Sequence, residues 1–206
     1  MTQEELEAFA QTWAEKFWAD AGNFATDRGF GLTPESRVVD VGGYLGDWTA
    51  YITSRYDAHV AVYEPVPAFV QQLRERFKAN PKVEVHPFGL DDRFYEPQIA
   101  LMDDASSTHR VTREDAFHVT IKDISCVMRN TEPVDLMMLN GEGCEYGIIR
   151  ALGNYSLLER FDRLLIQFHA FYPGAERERE IIRSILQRTH REEWCYPFVW
   201  ECWRRR

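Results

Sequence analysis

Short apolar runs alternate with amphipathic stretches along most of this chain, and that alternation leaves few folds open. SRVVDV, HVAVYE, KVEVHPF, VDLMML and RLLIQFH each read as a buried strand. DWTAYITSRYD predicts a helix with Trp48, Tyr51 and Ile52 inward. PAFVQQLRERFKAN predicts another, with Phe69, Val70, Leu73 and Phe77 on its apolar face and Asn80-Pro81 as its stop. CEYGIIRAL reads as a short helix, and residues 176–186 as a charged one with Ile181, Ile182 and Ile185 inward. Strands that alternate with helices pair in parallel, and the helices cover both faces of the sheet. The stretch EEWCYPFVWECWRR departs from that plan. Its two aromatic strands, joined closely around Pro197, must pair antiparallel. The expected fold class is therefore α/β: a mostly parallel sheet with an antiparallel C-terminal strand pair and helices on both faces.

The 206 residues suit one domain with a small appendage. Residues 1–34 form an N-terminal helix and its connection, with Leu6, Phe9, Ala10, Trp13 and Phe17 on one stripe that packs on the main domain. Residues 35–206 form that domain, and 91–134 are its irregular part, with the acidic, serine-bearing LMDDASSTHR and a strand in AFHVTIKD. The opening lacks a basic start followed by an apolar core, so it does not read as a signal peptide. No stretch approaches the ~18 apolar residues of a membrane span. A cytoplasmic location and no membrane partner are expected. Lysine and arginine number 24 against 33 acids, a net charge of -9, which disfavours a phosphate backbone as partner. The WRRR close is a local basic exception. The four cysteines show no metal-ligand spacing, so free thiols are expected, although Cys195 and Cys202 face each other if the terminal hairpin pairs them.

Ligands of an open α/β sheet sit outside the carboxyl ends of its strands. The first strand ends at Asp40, and Gly42, Gly43 and Gly46 follow before a helix begins near Asp47. Three glycines so close together exceed what a tight turn needs and suggest backbone held against a ligand. The dinucleotide fingerprint is G-x-G-x-x-G, built to meet a pyrophosphate. Here the spacing is G-G-x-x-G behind an acid, and an acid suits a ligand with a cationic end, such as an ammonium or a sulfonium. S-adenosylmethionine carries both. Glu64 ends the second strand, where an acid accepts bonds from ribose hydroxyls; that contact fits an adenosyl ligand and NAD alike. After the third strand, Leu90 can lie against an adenine ring and Asp91 can reach its amino group. The fourth strand ends in LNGEGCE, where Asn140 has the donor and acceptor to hold an aminocarboxylate. The fifth ends in QFHAFYP, which brings His169 to the same rim as Glu142; Phe171 and Tyr172 beside it suit either ring stacking or core packing.

VVDVGGYLGDWT, VYEP and VDLMMLNGEGCEYGIIRAL followed by LLIQFH together resemble the FkbM-like branch of the class I S-adenosylmethionine-dependent methyltransferases, from about residue 36 to residue 170. The resemblance implies a Rossmann-like sheet. It implies a cofactor site lined by Asp40, Gly42, Gly46, Glu64, Asp91 and Asn140, and it matches Ser106 and Ser107 to a serine pair of the family. Asn140 stands where the family has an aspartate, which removes a negative charge near the cofactor's ammonium. Gln167 stands where the family has an acid two residues before the histidine. The expected activity is methyl transfer, by O-methylation of a hydroxyl on a sugar or other small molecule. His169 is the expected base and Glu142 orients it or the substrate. Two alternatives stay open: an NAD-dependent oxidoreductase, and a cofactor-binding protein without turnover. A resident metal is not expected, because the rim lacks a carboxylate cluster. A small-molecule acceptor and no nucleic acid are the expected partners, and a homodimer stays open.

Overall fold

A computed structural model of the chain describes residues 1–21, 29–102, 105–107 and 116–206, and only the backbone at 21, 100–102, 105–107, 116 and 117. The first helix, α1, spans Gln3–Ala21. The alternating part runs β1 (Arg37–Val41), α2 (Asp47–Tyr56), β2 (His59–Tyr63), α3 (Pro67–Phe77) and β3 (Val83–His86). An irregular part follows with β4 (Gly89–Asp91), β5 (Gln98–Met102), β6 (Ala105–Ser107), β7 (Ala116–His118), β8 (Ile121–Asp123) and α4 (Ile124–Met128). The alternation then resumes with β9 (Val134–Leu139), α5 (Glu145–Asn154), β10 (Phe161–Ile166) and α6 (Ala175–Leu186), and closes on β11 (His190–Tyr196) and β12 (Trp200–Arg205).

These strands build one seven-stranded sheet in the order β11-β12-β10-β9-β1-β2-β3. All neighbours are parallel except that β12 runs antiparallel to both β10 and β11, as expected from the sequence. Side chains alternate across a strand, so each strand feeds two cores. Val39, Val41, Met137, Leu139, Leu164 and Ile166 join one core with α4, α5 and α6. Val38, Val60, Val62, Leu136, Met138 and Leu165 join the other with α2 and α3. Burying each such side chain stabilises the fold by roughly 1.5–3 kcal/mol.

Several elements differ from the expected pattern for identifiable reasons. AFHVTIKD divides between β7 and β8, which pair in different small sheets, β6-β5-β7 and β4-β8. On α1, Leu6 and Phe17 are buried, but Phe9 is exposed and meets Trp13 only edge-on at 6.2 Å. On α6 the inward row is Ala175, Arg179, Ile182 and Leu186, with Ile181 and Ile185 only half-buried. Arg179 goes inward because buried Glu201 on β12 accepts from its Nε at 2.6 Å, and Arg183 pairs with the same carboxylate at 2.7 Å. All four cysteines are free. A β-bulge shifts the terminal hairpin, so Cys195 lies opposite Glu201 and Cys202 opposite Trp194; the two thiols do not face each other. No helix among the described residues is long and apolar enough to cross a membrane.

Candidate active site

The carboxyl ends of β1, β2, β4 and β9 meet around a cavity of about 140 Å³. Glu64 lines it from the end of β2 and is almost fully buried. Its Oε2 accepts from the Tyr44 N–H at 2.9 Å and its Oε1 from the Val66 N–H at 2.8 Å. Burial pushes its carboxyl up, and those two N–H groups oppose the rise. Asn140 lines the same cavity, and its buried Oδ1 has no hydrogen-bond partner among the described residues. A buried acceptor left unpaired costs about 1–3 kcal/mol, so this oxygen favours a ligand that brings a donor. Leu90 and Asp91 close another wall. Asp91 accepts from the Tyr95 hydroxyl at 2.7 Å and from the Asp92 N–H at 2.7 Å.

The glycine turn is only partly a ligand wall. Gly42 lines the cavity with φ +88°, and a Cβ there would sit 2.0 Å from the Asn140 carbonyl oxygen. It lets the ends of β1 and β9 close on each other. Gly43 and Gly46 do not line the cavity. A Cβ on Gly43 would meet Val62 Cγ1 at 2.2 Å, and one on Gly46 would meet Leu73 at 2.7 Å and Phe77 at 2.8 Å. Those two glycines let the turn pack on β2 and α3. Asp40 also lies outside the lining. It shares the parity of Val38, so it points toward α2, where the Thr49 hydroxyl donates to its Oδ2 at 2.5 Å. The side chain is fully buried and its Oδ1 is unpaired among the described residues. Burial, opposed by Thr49 and helped by the nearby Glu64 charge, raises its carboxyl to about 7. Asp40 therefore braces the turn from beneath, and the direct contact with a cationic ligand end expected of it is not available in this arrangement.

Glu142 lines the cavity from a left-handed backbone position, φ 55°. His169 stands behind it. Its Nε2 is 3.4 Å from Glu142 Oε1 and its Nδ1 is 2.8 Å from Glu145 Oε1. Glu145, fully buried at the start of α5, also accepts from the His169 N–H at 2.9 Å and, through Oε2, from the Gly143 N–H at 2.9 Å. Burial alone would lower the imidazole, but the flanking Glu145 and Glu142 override it and raise His169 to about 10. His169, the expected base, has both ring nitrogens beside carboxylates, which favours the charged form of the imidazole. Its place is to hold Glu142 and the β9–α5 turn. The carboxylate at Nδ1 of the ring comes from Glu145.

A family profile for the methyltransferase FkbM domain matches residues 40–193. The chain belongs to the FkbM methyltransferase family. A search of curated proteins finds no significant relative. Among solved structures, the FkbM methyltransferase of Methylobacillus flagellatus KT is 13% identical with a TM-score of 0.55, covering 98% of this chain and 58% of its own. The chain thus spans a little over half the length of that relative. An rRNA methylase from Streptococcus thermophilus is 15% identical, with a TM-score of 0.52 and 93% of each chain covered. The fibrillarin pre-rRNA processing protein of Methanococcus jannaschii is 10% identical, with a TM-score of 0.51, covering 84% of this chain and 67% of its own. These likenesses establish the fold of the FkbM family member: a class I methyltransferase sheet with its terminal antiparallel pair. They also overturn the exclusion of nucleic acid. The same fold serves proteins named for rRNA, and a net charge of -9 describes the whole surface. Fields are screened within about 10 Å, so net charge does not decide what one rim accepts.

Several cavity residues of this FkbM family member carried no motif signal. Tyr44, at φ 47°, packs edge-on against Phe69 at 4.7 Å at the cavity mouth, and Tyr95 donates to Asp91 from the irregular segment. Cys144 lines the cavity as a buried thiol pushed well up by burial. Glu145 was visible in GEGCE; its place at the start of a helix and next to the histidine strand end was the available signal. Ser106 and Ser107 lie in β6, but their side chains fall outside the described residues. Away from the cavity, Glu192, Cys195 and Glu201 bring three ligand-type atoms within 4.8 Å of one another. Arg179 and Arg183 already neutralise that cluster.

Proposed function

We propose that this chain transfers a methyl group from S-adenosylmethionine to a hydroxyl of a small molecule, with sugars among the candidates. One observation carries the reading: Asn140, with its buried and unpaired Oδ1, lines the same cavity as Glu64. Asn140 would take the ammonium of the aminocarboxylate end, with the slim backbone at Gly42 beside it. Glu64 would accept from the ribose hydroxyls, and Leu90 and Asp91 would hold the adenine. When bound, the cofactor supplies a methyl group already activated by its sulfonium. Residues 1–34 are read as an added helix and connection, and 35–206 as the methyltransferase domain.

The acceptor hydroxyl must lose its proton as the new bond forms. Glu64 and Asp91, the other carboxylates at the cavity, are assigned to the cofactor, which leaves Glu142 as the assigned proton acceptor. His169 is a positioning residue: its two N–H groups fix Glu142 on one side and Glu145 on the other. The test is calorimetry with S-adenosylmethionine, S-adenosylhomocysteine and NAD, followed by turnover on a panel of hydroxyl acceptors. Binding of the first two and methylation of at least one acceptor are expected. NAD binding in their place would favour the oxidoreductase, and cofactor binding with no turnover would favour a non-catalytic scaffold. Glu142→Gln should lower kcat roughly 10²- to 10⁴-fold, the range of one general base, with KM little changed.

A further inference from the structure

The basic run that closes the sequence belongs to a larger arginine cluster at the end of the sheet opposite the cavity. Arg204 and Arg205 end β12, and Arg206 follows, its N–H donating to the Thr189 carbonyl at 3.0 Å. Arg188 precedes β11, and Arg191 lies within it beside Arg204. The short turn Leu158–Arg160 ahead of β10 joins them, because Arg205 Nη1 donates to the Glu159 carbonyl at 2.8 Å. β9 starts at this end and finishes at the cavity, so its 6 residues hold the two apart by about 20 Å, at roughly 3.3 Å per residue.

This cluster differs from an ordinary solvated face. Arg191 on β11 lies directly opposite Arg204 on β12, and Arg204 lies opposite Arg163 on β10. Like charges in that register destabilise a sheet. Arg163 is well paired, with Glu193 at 2.8 Å, but Arg204 stands 3.8 Å from the same carboxylate. Arg188 and Arg191 enter no ion pair among the described residues. Arg160 carries a buried Nε with no hydrogen-bond partner among the described residues, a donor that burial makes costly. The acids at this end are fewer. Glu192 is held by Arg183 at 2.6 Å, Asp162 stands 3.7 Å from Arg205, and Glu159 and Asp135 are exposed. One exposed ring completes the surface. Tyr155 follows α5, just ahead of the Leu158–Arg160 turn, and the Arg129 guanidinium lies 5.8 Å over its ring.

We propose that this end of the sheet binds the phosphate backbone of a single-stranded nucleic acid, with one base stacked on Tyr155. A guanidinium fork takes two phosphate oxygens at once. Phosphates laid along the cluster remove the repulsion between Arg191 and Arg204 and bring acceptors to this end. A single strand also has bases free to stack, and an exposed ring among arginines is what receives them. A lipid surface fits less well. An element that lies in a membrane interface buries an apolar face, and this end exposes one ring with a polar tip. The net charge of -9 is no obstacle, since charges beyond about 10 Å are screened. The inference does not rest on the methyl-transfer reading. It concerns a separate surface and stands whatever the cavity holds.

The test follows the fluorescence anisotropy of a labelled single-stranded RNA of about 12 nucleotides, and of a DNA of the same sequence, with the full chain. Salt is varied from about 50 to 200 mM. Both strands should bind, with affinities of about 10⁻⁴–10⁻⁶ M near physiological salt that rise steeply as salt falls. Arg191→Gln combined with Arg204→Gln removes two phosphate contacts. The plot of log K against log salt should then flatten by about 1.4, at about 0.7 per phosphate. Tyr155→Ala should weaken binding about ten-fold and leave that slope unchanged. No binding of either strand at about 50 mM salt would overturn the proposal. So would a slope that the arginine variant does not change, or full affinity in Tyr155→Ala. Tighter binding of phosphatidylserine vesicles or of a polyglutamate peptide than of RNA would overturn it too. Thermal melts confirm folding, and if the double variant is unfolded, Arg191→Gln alone carries the slope test, with a change of about 0.7.

Discussion

At the scale of single residues, three polar groups at the strand ends lend themselves to measurement. Asn140→Ala removes the acceptor offered to the ligand's ammonium. It should weaken S-adenosylmethionine roughly 10- to 100-fold by calorimetry, the value of a hydrogen bond to a charged group. Asn140→Asp returns a charge and should tighten binding. His169 holds a proton in the folded state that the unfolded chain releases above about 6.5. Its stabilising contribution is therefore full below that value and fades as pH rises through about 10. Wild type should lose stability across that alkaline window, and His169→Ala should lose less, as read by melts from pH 7 to 10. Glu145→Gln should bring the His169 titration down toward its ordinary value in an NMR pH series; an unmoved titration would show that Glu145 does not set it. Asp40 works against folding at neutral pH. Its carboxyl, ordinarily near 3.8, is raised to about 7, so the folded state holds the extra proton and stability falls as pH rises from about 4 to 7. Asp40→Asn should melt several degrees higher than wild type at pH 8, since 1 kcal/mol is worth about 2–4 °C in a chain of this size.

At the scale of elements, the β1–α2 turn joins packing to ligand contact. Gly43→Ala places a methyl against Val62, and overpacking of this kind costs about 1–3 kcal/mol. The melt should drop by roughly 2–12 °C with the cavity's residues unchanged. Gly42→Ala strikes the Asn140 carbonyl and should impair binding as well. The main strands and the antiparallel terminal pair were legible because the apolar runs are short, regular and bounded by turn residues. The order of the seven strands in the sheet was not read from the sequence, since apolar runs do not say which strands become neighbours. The role of each glycine was not legible, because what a Cβ would strike depends on α3, an element distant along the chain. The burial of Asp40 beneath the turn was readable. Its parity with Val38 already placed it on the α2 face. The pairing of His169 with Glu145 depended on how α5 starts, and the tyrosines at the cavity mouth came from loops that carry no periodicity to read.

At the scale of the molecule, the first and last elements of the described fold hold each other. Phe17 on α1 packs with Tyr196 and Val199 in a small cluster of their own. Phe17→Ala should cost about 3 kcal/mol. It should also make α1 the earliest segment cut in limited proteolysis; a helix still protected in that variant would show that its polar anchors suffice. The α1 stripe was readable as apolar, but its partner was not, since helix periodicity says nothing about which surface receives it. The place of β12 in the sheet has a consequence for synthesis. β12 lies between β10 and β11, so the outer flank of β10 stays open until residues near 200 have been made. Chains grow at roughly 5–20 residues per second, which leaves that flank bare for seconds while α6 and β11 follow it from the ribosome. A nascent chain carries an unpaired apolar strand edge and an undocked aromatic helix until β11 and β12 have been translated. Its yield in a cell therefore depends on what shields that edge in the interval.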